Sequence, residues 1–218
     1  MRKRTLIIIT IIFTIISLIM IFSSYFGITR YFFCHIKSTD KFIENYSKLP
    51  KASTDNKVVI SFTCKQEKLH KLKPFINSIL DQTVKVDLIA MITPLEEDYN
   101  IPKYIKDITV VFPSGMDCGQ GTKLIPMLLR EKEKGTIIIS LDENKIYGQD
   151  FIYTMIEESK KYPDSVLVDT KGSTILVRSD HFDCDVIKRE KVDNEWFLKK
   201  AKNNKIVDYK EIYGIINF

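Results

Sequence analysis

Apolar positions along the chain follow two regimes. From Thr5 to Thr29 they run together, dense in Ile, Leu and Phe, with no charged residue among them. Beyond residue 56 they come as short β-branched runs and helical stripes, divided by polar turns. The first segment exceeds the roughly 20 apolar residues needed to cross a bilayer. It is also longer than the core of about 7–15 residues in a cleaved signal peptide. The pattern therefore predicts a short tail over 1–4, a permanent transmembrane anchor over 5–29 and a folded domain over 57–218. Residues 30–56 show no clear period and include Pro50, Ser53 and Asp55, so they read as a stem or linker.

In the folded region, strand and helix patterns alternate. Lys57–Phe62 reads as a strand, and Lys68–Gln82 as a helix with Leu69, Leu72, Phe75, Ile76, Ile79 and Leu80 on one face and Pro74 near its first turn or at a kink. Strands follow at Asp87–Ile92 and Ile108–Phe112, and a helix at Thr122–Lys134 with Pro126 disturbing its start. Residues 136–148, TIIISLDENKIYG, read as a short buried strand running into an acidic turn at Asp142, Glu143 and Asn144. Phe151, Ile152, Met155 and Ile156 then mark a surface helix, Ser165–Val168 and Ser173–Val177 two short strands, and Asp193–Lys202 a last helix. Strands separated by helices imply an α/β domain with a mainly parallel sheet and helices on both faces.

Charge and composition narrow the function. The net charge is +5, but Arg2, Lys3 and Arg4 supply three of those charges. With no basic stripe carrying interleaved aromatics, nucleic acid is not an expected partner. Cys34, Cys64, Cys118 and Cys184 are far apart and form no CxxC pair, which argues against a zinc site. The three histidines are equally scattered. Basic residues flank both ends of the anchor, with Arg30, Lys37 and Lys41 on the far side, so the positive-inside rule leans only slightly toward a cytoplasmic amino terminus. Asn45-Tyr46-Ser47 is a glycosylation acceptor triplet that agrees with a lumenal (Golgi- or ER-like) or external domain.

Candidate chemistry gathers at strand ends, where open α/β sheets bind ligands. Carboxylates at such an end are hard oxygen donors suited to Mg²⁺ or Mn²⁺ touching a substrate phosphate, although Asp and Asn also cap strands as ordinary turn residues. Ser61–Cys64 (SFTC) ends the opening strand with small polar groups, Thr63 among them, able to hold a base or ribose. Asp117-Cys118-Gly119-Gln120-Gly121-Thr122-Lys123 leads into a helix, with two glycines that let backbone amides approach a phosphate and Lys123 adding charge. The spacing is not that of a P-loop. Asp193-Asn194-Glu195-Trp196 opens the last helix, where acids suit the helix dipole and one of them could act as a general base.

In order, these pieces resemble a group of small membrane-anchored glycosyltransferases with the GT-A fold (nucleotide-diphospho-sugar transferase-like). The likeness rests on VVISFTCKQEKLHKLKPFINSILDQTVKVDLIAMITP, with its strand, Ser/Thr turn and helix closing in Leu80-Asp81-Gln82-Thr83, where the family has a Leu-x-x-Gln-Thr pattern. It continues through DCGQGTKLIPMLL, IIISLDENKIYG, GSTILVRSDHFDCDVI and VDNEWFLKKAKNNKI, and so covers about residues 57–207. The resemblance implies a GT-A-like mixed sheet and a nucleotide-sugar donor bound over the first half of that sheet. It also implies a divalent cation held by Asp142 and Asn144, and a carbohydrate or glycoprotein acceptor. By the same resemblance Thr63, Asp117, Gly119, Gly121, Lys123, Glu143 and Tyr147 would face the donor, and Asp193, with Glu195 able to substitute, would be the catalytic base. Two departures stand out: the acidic triplet ends in Asn144 where the family has Asp, and Asn194 replaces the second member of an acidic pair. They leave a rival expectation, a membrane-tethered binding module that kept the fold and lost catalysis. A membrane-anchored nucleotidyl-type phosphotransferase ranks below both.

Overall fold

The computed structural model describes residues 2–25, 27–53, 55–95, 99–115, 118–169, 173–182 and the strand at 204–206. Helix α1 (Arg2–Tyr25) opens with three basic residues and is then predominantly apolar. None of its apolar stretch is buried within the protein; Phe13 is 71% exposed and Ile21 66%. At about 1.5 Å per residue its 24 residues reach about 36 Å, enough to cross a bilayer. Its polar side chains turn inward on the helix, Thr10 and Thr14 each donating to the carbonyl four residues back at 3.0 and 2.9 Å.

The globular part is built on a seven-stranded sheet. Its strands are β1 (Val58–Thr63), β2 (Leu88–Pro94), β3 (Val110–Ser114), β4 (Ile137–Ser140), β5 (Val166–Val168), β6 (Ile175–Arg178) and β7 (Asn204–Ile206), in the order β3-β2-β1-β4-β6-β5-β7. β3, β2, β1 and β4 are mutually parallel, β6 runs antiparallel to both β4 and β5, and β7 is parallel to β5. The sheet is thus mixed and mostly parallel, with helices on both faces.

Period-two alternation divides the core. Val58, Ile60 and Phe62 of β1, with Ile137 and Ile139 of β4, point to one face, while Val59 and Ile138 point to the other. The first face is covered by α4 (Lys73–Leu80) and α7 (Phe151–Lys161), and Phe62 meets Phe75 of α4 edge-on at 5.0 Å. The second is covered by a 3-10 turn at Gly119–Lys123 and by α6 (Ile125–Arg130), through Leu124, Ile125, Met127 and Leu128. Burying each such side chain is worth about 1.5–3 kcal/mol.

Two expected helices are shorter than their apolar stripes. Residues 68–82 divide into a 3-10 turn at Gln66–Lys71 and α4, and residues 122–134 into the 3-10 turn and α6. In both cases a proline sits in the first turn of the α-helix, where its missing N–H costs nothing. A short helix, α5 (Lys103–Lys106), precedes β3.

The segment expected as a stem is structured. It contains α2 (Ile28–Ile36) and α3 (Thr39–Ser47), which lie against α4, with Cys34 fully buried and Phe42 at 4% exposure in the core. Asn77 of α4 donates from Nδ2 to Cys34 O at 2.7 Å, and Arg30 pairs with Asp81 at 2.7 Å. Residues 50–52 continue alongside Lys85 through two backbone hydrogen bonds of 2.9 and 2.8 Å. The helix expected at Asp193–Lys202 lies outside the described residues.

Candidate functional site

The parallel strands reverse their order of addition between β1 and β4. Chain progress moves outward from β1 to β2 and β3, then returns to place β4 on the other side of β1. Such a switch point leaves a crevice beyond the carboxyl ends of the two strands, because their connections depart in opposite directions. A cavity of about 530 Å³ lies there. Thr63 from the end of β1, Gly119 and Lys123 from the turn after β3, and Asp142, Glu143 and Asn144 from the turn after β4 all line it.

The acidic turn is held from behind. Leu141 extends the ladder by one bond, its N–H donating to Ser61 O at 2.8 Å. The next amide, of Asp142, donates to the Tyr147 hydroxyl at 2.8 Å, and that hydroxyl lies 3.1 Å from Thr174 Oγ1. Asp142 Oδ1 accepts from the backbone N–H of Asn144 at 3.0 Å and from its Nδ2 at 2.9 Å, while Lys145 N–H donates to Asp142 O at 3.1 Å. Aspartate favours this arrangement because its short side chain reaches an amide two residues on. Tyr147 therefore supports the turn and does not line the cleft. Its ring packs between Phe75 and Phe151, and burial drives its phenol pKa far above the ordinary value, so it keeps its proton.

Electrostatics in the cleft are mixed. Burial raises the pKa of Glu143, and the Asp142 charge adds to that rise, against its own backbone amide and the charges of Lys123 and Lys68. Lys123 is buried at 9% exposure and donates from Nζ to Ser173 O at 2.6 Å. Burial lowers its pKa, while Asp142, Glu143 and Asp169 pull the other way. Ser61 Oγ donates to the Lys123 carbonyl, fixing the turn to the sheet. Gly119 adopts φ 60°, a left-handed conformation that glycine takes without steric cost. Gly121 belongs to the same 3-10 turn, its N–H donating to Cys118 O at 3.1 Å.

Asp142 and Glu143 are the carboxylates this cleft offers to a cation. Among the described residues, no group of three or more His, Cys, Asp or Glu side chains converges on one point. Two carboxylates still suit Mg²⁺, which is commonly bound through one or two of them together with substrate phosphates. Asn144 is engaged otherwise: its Nδ2 is on Asp142, and its Oδ1 accepts from Lys68 Nζ at 3.2 Å. Asp117, Asp193 and Glu195 lie outside the described residues.

Sequence reasoning overlooked several cleft residues. Lys65 directly follows the SFTC stretch, and Ile92 and Pro94 end β2, so the strand-end rule that found Asp142 applied to them as well. Ser173 of the cleft, and Lys68, which bonds Asn144 from outside its lining, gave no local signal, because a hairpin and a 3-10 turn deliver them across the fold. Gln82, quoted as part of a motif, proves to be a buried clamp. Its Nε2 donates to Gly148 O at 2.6 Å, and its Oε1 accepts from Ile152 N–H at 3.0 Å. No protein-family model matches this chain, and no curated relative matches it.

Proposed function

We propose that this is a membrane-anchored glycosyltransferase that binds a nucleotide-sugar in the cleft and passes the sugar to a carbohydrate or glycoprotein acceptor. One observation supports the reading most. Thr63, Gly119, Lys123, Asp142 and Glu143, drawn from three separated stretches, meet at the switch point of the sheet. The cavity volume falls within the few hundred to about 1,000 Å³ of small-molecule sites. On this reading α1 places the amino terminus in the cytoplasm and the domain on the lumenal or external side.

A divalent cation, Mn²⁺ or Mg²⁺, would be held by Asp142 and Glu143 and would supply Lewis-acid stabilisation of the departing diphosphate. Lys123 places a further positive charge in the wall of the same cleft, where low local polarity strengthens its pull on a phosphate. Tyr147 and Asn144 hold the Asp142 backbone and carboxylate in place. Asp193, or Glu195 in its stead, takes the proton from the acceptor hydroxyl. A base opposite the leaving group makes the displacement inverting, and a product with retained anomeric configuration would overturn that part.

A second reading, a tethered module that binds without turnover, is favoured by Asn144, whose two polar side-chain atoms are both used within the protein. The test is the thermal midpoint of the full chain in detergent micelles against a panel of nucleotide-sugars, with and without Mn²⁺. A ligand at 100 times its Kd stabilises the native state by about 2.7 kcal/mol. A Mn²⁺-dependent rise with one donor, abolished by Asp142→Asn, is the expected outcome. Folded chain that responds to no donor defeats the proposal, and a response with neither donor hydrolysis nor transfer leaves the binding module.

A further inference from the structure

Helix α2 presents two different faces. One is turned to the domain: Arg30 Nη1 meets Asp81 Oδ2 at 2.7 Å, Arg30 Nε donates to Tyr147 O at 2.7 Å, and Cys34 is fully buried. The other carries Thr29, Phe32, Phe33 and Ile36, spaced i, i+3, i+4 and i+7, so that they form one stripe. Phe32 is 52% exposed and Ile36 73%. Phe33, 37% exposed, meets Phe42 of α3 edge-on at 5.7 Å at the border of the stripe, while Phe32 and Ile36 are left largely uncovered.

Three features of the chain indicate what covers it. The stripe begins at the end of α1, which stops at Tyr25, three residues before α2 starts at Ile28. Three extended residues span at most about 11 Å, so α2 stays close to the end of the membrane-crossing helix. Gly27, at φ 72° in the left-handed region, interrupts the right-handed helical backbone between α1 and α2. Lys37 follows the stripe, with Nζ 3.8 Å from the centre of the Phe33 ring. An apolar helix face rich in aromatics and edged by a basic residue is the pattern of helices that lie in a membrane interface.

We propose that α2 lies in the headgroup–acyl boundary of the bilayer that α1 crosses, with Phe32, Phe33 and Ile36 inserted and Arg30 mooring the domain on the other side. The domain is then docked on the membrane surface, not suspended from a stalk. Arg30 joins the lipid-facing helix to Asp81 at the end of α4 and to the backbone of Tyr147 behind the acidic turn. The cleft is consequently held at a fixed height and tilt above the lipid. This holds whichever ligand the cleft takes.

The test uses the full chain in phosphatidylcholine vesicles, with Trp196→Phe as background and a single Trp introduced by Phe32→Trp or Ile36→Trp. Tyr153→Trp on α7, a site 48% exposed, is the control. Lipids brominated near the top of the acyl chain should quench the α2 tryptophans at least about twofold more than the control. Equal quenching overturns the proposal. A second measurement needs no substitution: a phospholipid with a photoreactive group near its headgroup is irradiated with the unaltered chain, and labelled peptides are mapped. Label within 28–36 is expected. Label on α1 with none on α2, or cross-links joining α2 to a second copy of the chain, overturns the proposal.

Discussion

Glu143 sits in an environment that works against its own charge. Burial and the neighbouring Asp142 raise its pKa above the ordinary carboxylate value. The folded state therefore holds a proton on Glu143 more tightly than the unfolded chain does. That contribution is fully present below the unfolded pKa and is lost as pH rises through the folded one. At neutral pH the charged side chain is a net cost, offset only when a cation shares the cleft. Glu143→Gln should raise the thermal midpoint at pH 7.5 while weakening Mn²⁺-dependent donor binding. The stability gain should shrink as pH falls toward the ordinary glutamate value. Melting curves over a pH series decide the matter: a variant less stable than the parent at neutral pH would mean that the carboxylate has a structural partner and is not waiting for a ligand.

At the scale of elements, β5 and β6 form a hairpin whose turn is tied by Asp169. Its Oδ1 accepts from the backbone N–H groups of Ser173 and Thr174 at 2.7 and 3.2 Å, and its Oδ2 meets Lys145 Nζ at 2.7 Å. Burial alone would raise the pKa of Asp169, but the Lys145 bond and charge, with those amides, bring it below the usual carboxylate range. Stability from this group is thus present above the unfolded pKa and lost as pH falls through the folded one. Asp169→Asn keeps an acceptor for the amides but removes the carboxylate that pairs with Lys145, which is 7% exposed. Breaking a buried pair in this way costs about 3 kcal/mol or more. Urea titrations should show that loss at pH 7, narrowing in acid, and Ser173 should lose its position beside Lys123 in the cleft.

These elements differ in how far the sequence announced them. The strands were legible as short β-branched runs bounded by turn residues: Val58, Val59 and Ile60 are apolar without a break, and the structure sends alternate members to two cores. Asp142 and Glu143 were legible because a β-branched run ended in acids. The 3-10 breaks before α4 and α6 were foreshadowed only by Pro74 and Pro126, which mark where an α-helix can begin without showing how short it will be. Helices α2 and α3 were not legible. Their buried residues, Cys34, Thr39 and Phe42, are few and widely spaced, and the surface that buries them lies on α4, roughly thirty to forty residues further on. Nor was the work of Tyr147, since its hydroxyl acts on a backbone amide five residues earlier.

For the whole molecule, the question is where the domain begins. If residues 30–56 were a passive stem, a chain starting at Pro50 would be as stable as one starting at Gly27. The contacts argue otherwise. Removing α2 and α3 takes Phe42 out of the core and Arg30 away from Asp81, and it withdraws the Tyr46 hydroxyl that accepts from Val86 N–H at 2.9 Å. It also leaves Asn77, fully buried, without its acceptor at Cys34 O. The lost apolar burial of Cys34 and Phe42, together with these polar contacts, should cost the shorter chain about 3 kcal/mol or more relative to the longer one. The longer chain exposes the α2 stripe to water and should need detergent to stay monodisperse, whereas the shorter one should not. Urea unfolding of both, in the same micelles and with the full chain as reference, separates the possibilities. Equal unfolding free energies would return α2 and α3 to the role of a tether, whereas a deficit confined to the Pro50 chain makes them the first elements of the domain.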